Sequence, residues 1–204
     1  MASLFQHPIL QQSFAIIDHE IGPHRFTPDE YAVVRRVIHS TADFDFKQEI
    51  RFSTTAIAVA KVALRATTPL ILDVNMVKSG IQTLVKRTFQ NPIVVAVDQA
   101  HQALPGKTRT ETGMLACCRQ YPGAIYIVGN APTALAALCE AIAVGWVNPA
   151  LVIGVPVGFV GVEAAKTQLA SLDVPQILVD GRKGGSAVAS AITNALLVLA
   201  WETV

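Results

Sequence analysis

The chain has 204 residues, 51% of them hydrophobic and 15% charged, with a formal net charge of +1. That length suits one substantial domain spanning residues 1–204, and the balanced charge argues against nucleic acid as a partner, because no basic surplus exists to meet phosphates. Three cysteines, Cys117, Cys118 and Cys139, have neither zinc nor disulfide spacing, so reduced, buried thiols and a cytoplasmic setting are expected.

The N-terminal residues, Met1 to Pro8, lack the basic region and apolar core of a secretory leader. An apolar periodicity from Ile9 through Phe14, Ile16 and Ile17 predicts a first helix stopped by Gly22-Pro23. Thr27, Pro28 and Glu30 then make a helix start, with Thr27 as N-cap and Glu30 closing a capping box. Tyr31, Val34, Val37 and Ile38 give that second helix its apolar face, and Ser40-Thr41 with Asp43 and Asp45 end it just beyond His39. Arg36 and His39, three apart, project from one side. The negative end of the helix dipole predicts that His39 favours its protonated form, which makes it a candidate acid–base group. The plainer alternative is a capping histidine with Asp43 and Asp45 as solvated turn residues. Ser53 is expected to cap an Ala/Val-rich helix running to about Arg65.

From there the pattern changes. Pro69–Asp73, Ile93–Asp98, Ala124–Gly129, Ala150–Val155 and Gln176–Asp180 are continuous apolar runs, as expected of parallel strands buried on both faces. Helical segments are expected between and after them, over Asn75–Val85, Thr110–Gln120, Pro132–Val144, Val162–Leu172 and Ser186–Trp201. The alternation predicts a doubly wound α/β fold: a mainly parallel five-stranded sheet with helices on both faces. The uncharged stretch Ala141–Val162 has bilayer-crossing length, yet Gly145, Pro149, Gly154, Pro156, Gly158 and Gly161 divide it into a helix end, a strand and a loop, so no membrane span is expected.

Ligands in such folds bind beyond the carboxyl ends of the strands. Gly181-Arg182-Lys183-Gly184-Gly185-Ser186 is the most informative of those loops. Two cations sit beside glycines that open a helix, so backbone N–H groups and a positive dipole end face one space, a ready anion site unless it is only a tight turn. Gly158, in Pro156–Gly161, lets backbone approach a ligand, and Asn130 is expected to cap the helix begun by Pro132. No G-x-G-x-x-G fingerprint, complete phosphate loop, G-x-S-x-G elbow or metal-ligand spacing of histidines occurs, so neither nucleotide, serine nucleophile nor metal is supported. Arg109, directly before the Thr110 helix, is a weaker carboxylate-binding candidate. Several anion-binding groups and one histidine suit a large polyacidic molecule that is held and protonated once.

These residues resemble a known family. Ser13-Phe-Ala-Ile-Ile17, Arg36-Val-Ile-His39 with Asp43, Asp73-Val-Asn-Met-Val77, Gly129-Asn-Ala-Pro-Thr-Ala-Leu135, Pro156-Val-Gly-Phe-Val160 and Gly181–Ser186 look like the blocks of precorrin-8X methylmutase, in the family's order from about Ser13 to Leu197. The resemblance implies an isomerase of cobalamin biosynthesis that moves a methyl group from C-11 to C-12 of a corrin precursor, metal-free or cobalt-containing, without a cofactor. It implies His39 as the catalytic acid, acting on a ring nitrogen to favour a sigmatropic shift. Ser13 and Arg36 fall where the family binds substrate, and Thr41, Asp43, Arg109, Gly158, Lys166, Arg182, Lys183, Gly184, Gly185 and Ser186 complete the candidate substrate-binding set. A homodimer with the pocket near the subunit interface is also implied. Glu111 after Arg109, and Glu163-Ala-Ala-Lys166, depart from the family's pattern around two of these residues. The rival readings are a corrinoid carrier without catalysis and a nucleotide-dependent α/β enzyme.

Overall fold

A computed structural model of the chain describes residues 7–202, so most of the stretch read above for a leader lies outside the described residues. Strands β1 (Ile50–Phe52), β2 (Leu70–Leu72), β3 (Ile93–Val95), β4 (Ile125–Val128), β5 (Leu151–Gly154) and β6 (Gln176–Val179) form one sheet in the order β1-β6-β5-β4-β2-β3. Neighbours run parallel except β1, which pairs antiparallel with β6. The expected count of five therefore falls one short. The missed strand carries Arg51 between Ile50 and Phe52 and buries only its first residue fully, so it lacks the continuous apolar run that marks the other five. At β3 the expected strand stops early, because Ala96–Gln99 turns into a short 3₁₀ helix.

Nine helices are described: α1 (Pro8–Glu20), α2 (Pro28–Thr41), α3 (Phe46–Glu49), α4 (Ala56–Arg65), α5 (Asn75–Arg87), α6 (Arg109–Gln120), α7 (Pro132–Ala143), α8 (Val162–Ala170) and α9 (Ser186–Glu202). The strand side chains alternate between two cores. Leu70, Leu72, Ile125, Ile127, Leu151, Ile153, Ile177 and Val179 pack under α2, α4, α5 and α9. Ile71, Tyr126, Val128, Val152 and Leu178 pack under α6, α7 and α8. Each such fully buried side chain contributes roughly 1.5–3 kcal/mol, so the three layers are held by both faces of every central strand. The Ala141–Val162 stretch divides as read, into the end of α7, β5 and a loop. Among the described residues no helix is long and apolar enough to cross a membrane.

The capping box read at Thr27 and Glu30 forms. Two other caps do not. The residue before α4 is Thr55, while Ser53 Oγ accepts from the Gln176 N–H at 2.9 Å and so ties the end of β1 to β6. The residue before α7 is Ala131, and Asn130 makes no cap. The acceptor comes instead from Asp73, at the carboxyl end of β2. Its buried carboxylate accepts from the backbone N–H groups of Val74 (3.0 Å), Gly129 (3.1 Å), Asn130 (2.6 Å) and Ala131 (2.8 Å). Burial pushes the Asp73 carboxyl up, and the four donors pull it back. Because β2 lies between β3 and β4, this is the point where the winding of the sheet reverses, the usual ligand crevice of such folds. Here the backbone donors at that point are taken by the protein's own carboxylate.

Candidate active site

Helix α1 lies on the outside of the α2 layer and runs antiparallel to α2. The register follows from two contacts. Near one end the Arg35 guanidinium meets both oxygens of Asp18, at 3.2 and 3.0 Å, and the Tyr31 hydroxyl donates to the same carboxylate. One turn further along α2, Ser13 Oγ lies 2.7 Å from His39 Nδ1. Phe14 completes the join, its ring 4.3 Å from the Arg35 guanidinium carbon and edge-on to the His39 ring at 5.6 Å. The sequence already held a signal for this pairing, an acid on the first helix and an arginine one turn before the histidine.

Helix α2 ends through its own side chains. Ser40 Oγ and Thr41 Oγ1 both donate to the Val37 carbonyl, and Ala42 takes a left-handed conformation with φ 54°. The ring of His39 is therefore presented at the last turn, exposed on one side. Its pKa lies below the ordinary 6.5, first because α1 and Phe14 desolvate the ring and second because the Arg36 guanidinium repels a second positive charge. This reverses the expectation from the helix dipole: local burial and a like charge outweigh the partial charge at the helix end. Both effects favour the neutral imidazole. Ser13 Oγ and His39 Nδ1 share one hydrogen bond, whose direction follows the ring tautomer, and Nε2 is engaged by no described residue. The Arg36→Gln variant is expected to raise the His39 pKa. An NMR titration of the ring protons checks the sign, and an unmoved or lowered value would remove Arg36 from the cause.

Two cavities flank α1. One of about 360 Å³ is lined by Ser13, Ile16, Ile38, His39, Ala42 and Phe44 among others. The other, of about 780 Å³, lies on the opposite face of α1 and is lined by Phe14, Arg35, Arg36, Arg87 and residues of α9. Arg36 thus sits close to His39 in sequence and charge but opens onto the larger space.

The remaining candidates fall into other groups. Thr41 is engaged in the helix end, where it also accepts from the Asp43 N–H. Asp43, Asp45 and Glu49 surround the Lys183 ammonium at 2.8, 2.5 and 3.8 Å, which holds the Asp43 carboxyl below the usual range and raises Lys183. Arg182 pairs with Glu163 at 3.3 Å and lies over the Phe159 ring. Both cations of the glycine loop therefore have carboxylate partners within the chain. Of the loop's backbone, the Gly185 N–H is spent on the Val155 carbonyl, and a Cβ on Gly184 would strike that same oxygen at 2.3 Å. Gly158 N–H reaches the Arg182 carbonyl, which joins the two loops into one platform at the carboxyl edge of the sheet. Ser186 is buried at the start of α9. Lys166 is 3% exposed and donates to the carbonyls of Gly181 (2.8 Å) and Lys183 (2.6 Å), a clasp beneath the loop, with burial pulling its pKa down to about 8. Arg109 is exposed and donates to the carbonyls of Ala100 and Val97, pinning the 3₁₀ turn to α6. Among the described residues no three His, Cys, Asp or Glu side chains gather as a metal site.

Comparison with known proteins agrees over most of the chain. A sequence profile of the precorrin-8X methylmutase family matches residues 8–199. The chain is 57% identical over 211 residues to a cobalt-precorrin-8 methylmutase of Synechocystis sp., covering 97% of each. It is 37% identical to a precorrin-8X methylmutase of Pseudomonas aeruginosa, covering 92% of this chain and 93% of that one. The crystal structure of a precorrin-8x methyl mutase from Thermus thermophilus superposes with a TM-score of 0.88 at 41% identity, covering 96% of both chains.

Proposed function

The chain belongs to the precorrin-8X methylmutase family, isomerases of cobalamin biosynthesis that move a methyl group within one molecule, and from that premise we propose a substrate and a set of roles. The substrate is precorrin-8X or its cobalt-containing counterpart, and the methyl group passes from C-11 to the neighbouring C-12. One carbon–carbon bond breaks as another forms, with no net oxidation, so the protein's task is to hold the macrocycle and steady the charge that shifts through its conjugated ring.

His39 is the acid. The observation that carries this reading is the 2.7 Å contact between Ser13 Oγ and His39 Nδ1. Ser13 fixes the tautomer, which turns Nε2–H outward as the donor to a ring nitrogen. Arg36 serves the same substrate by meeting one of its peripheral carboxylates. Arg182 and Lys183 reach carboxylates of the substrate only by exchanging Glu163, Asp43 and Asp45 for them. We assign them the lesser part, as the frame of the loop that Lys166 clasps.

A second copy of the chain is proposed to cover the outer face of α1, where Ile9 and Ile16 are 67% and 58% exposed beside the Ser13–His39 pair. The setting is the cytoplasm, in keeping with three buried cysteines whose pKa values are pushed up to about 11 or 12 and whose thiols are therefore inert.

The test is to incubate the purified protein with metal-free and cobalt-loaded precursors side by side and follow visible absorption. Turnover is expected with both, faster with the cobalt form that the Synechocystis relative is named for. Light scattering on the same preparation is expected to give the mass of a dimer. Tight binding of both precursors without any spectral conversion would favour the carrier reading instead.

A further inference from the structure

The 780 Å³ cavity on the far face of α1 from His39 is charged in an unbalanced way. Three guanidinium groups line it. Arg35 is committed to Asp18, whose carboxylate also takes the Tyr31 hydroxyl. Arg36 and Arg87 make no hydrogen bond or ion pair with any described residue. Arg36 is half-buried, and burial alone draws its pKa down. A half-buried cation without a counterion, as Arg36 is, is a cost to the fold, and the exposed Arg87 faces the same open space and adds like-charge repulsion. Glu202 is the remaining acid on the wall, so the lining keeps a positive excess.

We infer that this cavity is a carboxylate-binding subsite in which Arg36 and Arg87 together receive an alkyl carboxylate arriving from outside the chain. The planar guanidinium fork suits a carboxylate bidentately, and the volume exceeds what one short arm would fill. The inference rests on the reading above for one of its two sources. A polyacidic macrocycle held at His39 carries such arms around its rim, and a free di- or tricarboxylate offers the same chemistry.

Calorimetric titration of propane-1,2,3-tricarboxylate, and separately of the macrocyclic precursor, into wild type, Arg87→Ala and Arg87→Lys tests it. The precursor is expected to bind Arg87→Ala more weakly by on the order of tenfold, as for loss of a hydrogen bond to a charged group, with partial recovery in Arg87→Lys. If the tricarboxylate also binds wild type and loses that binding in Arg87→Ala, the subsite accepts free acids. If it binds neither while the precursor weakens, the anion is the macrocycle's own rim. Unchanged affinity of both ligands in Arg87→Ala overturns the inference, as does failure of both to bind wild type. Should wild type bind precursor but convert none, the catalytic reading falls and the titrations still decide the subsite.

Discussion

Replacing His39 with alanine is expected to lower conversion of bound macrocycle by on the order of 10²–10⁴-fold, the usual worth of a positioned proton donor, while leaving affinity largely intact. The ring stands at the exposed end of α2, and its removal deletes only the Ser13 hydrogen bond and the Phe14 edge contact, so stability should fall by about 0.5–1.5 kcal/mol. The contacts proposed for Arg36 and the loop platform should survive, since neither depends on the imidazole. Ser13→Ala is the companion variant. It keeps the ring but frees Nδ1, so turnover should fall on the order of tenfold and Ser13→Thr should restore most of it. Single-turnover absorption kinetics at saturating precursor separate these effects from binding. Near-normal turnover by His39→Ala would take the ring out of the mechanism.

Asp73→Ala is expected to cost about 3–5 kcal/mol of stability, read as the shift in a urea-unfolding midpoint at constant slope. Four backbone N–H groups converge on that carboxylate, and three of them belong to the turn between β4 and α7. Deleting the acceptor leaves them desolvated and unpaired at a fully buried site, each at about 1–3 kcal/mol before relaxation. A domain of this size has only about 5–15 kcal/mol to lose. Asp73→Asn should fall between, because it retains one oxygen and sets an amide donor against donors. A loss below about 1 kcal/mol in the alanine variant would mean that water or another oxygen satisfies those groups.

How much was legible in the residues follows from how local each signal was. Thr27 and Glu30 could be read because a capping box is closed within four residues. The five parallel strands could be read because burial on both faces leaves a run without polar interruption. β1 could not, since an edge strand with Arg51 at its centre looks like a turn. Ser53 and Asn130 were misplaced for the same reason from the other side: each sits where a local cap is plausible, and the better partner lies far off, Gln176 for one and the carboxylate of Asp73 for the other. The charge state of His39 was half legible. Arg36, three residues away, was in view; the desolvation supplied by α1 was not, because nothing local says that two helices joined by a loop will lie side by side. The cavity at Arg87 needed α1, α2, α5 and α9 together, and no single segment announces it.

Helix α1 buries only Ile17 of its thirteen residues and is otherwise held through exposed or half-buried side chains, among them Asp18 with Arg35 and Tyr31, Ser13 with His39, and Phe14 against both Arg35 and His39. Half of the proposed catalytic pair thus rides on one of the most lightly anchored parts of the molecule. Detachment of this strap requires far less free energy than melting the sheet, and activity should disappear in a sub-global opening that leaves the spectroscopic signature of the core untouched. Salt and mild denaturant would then act as switches on the enzyme long before they act as denaturants of the protein.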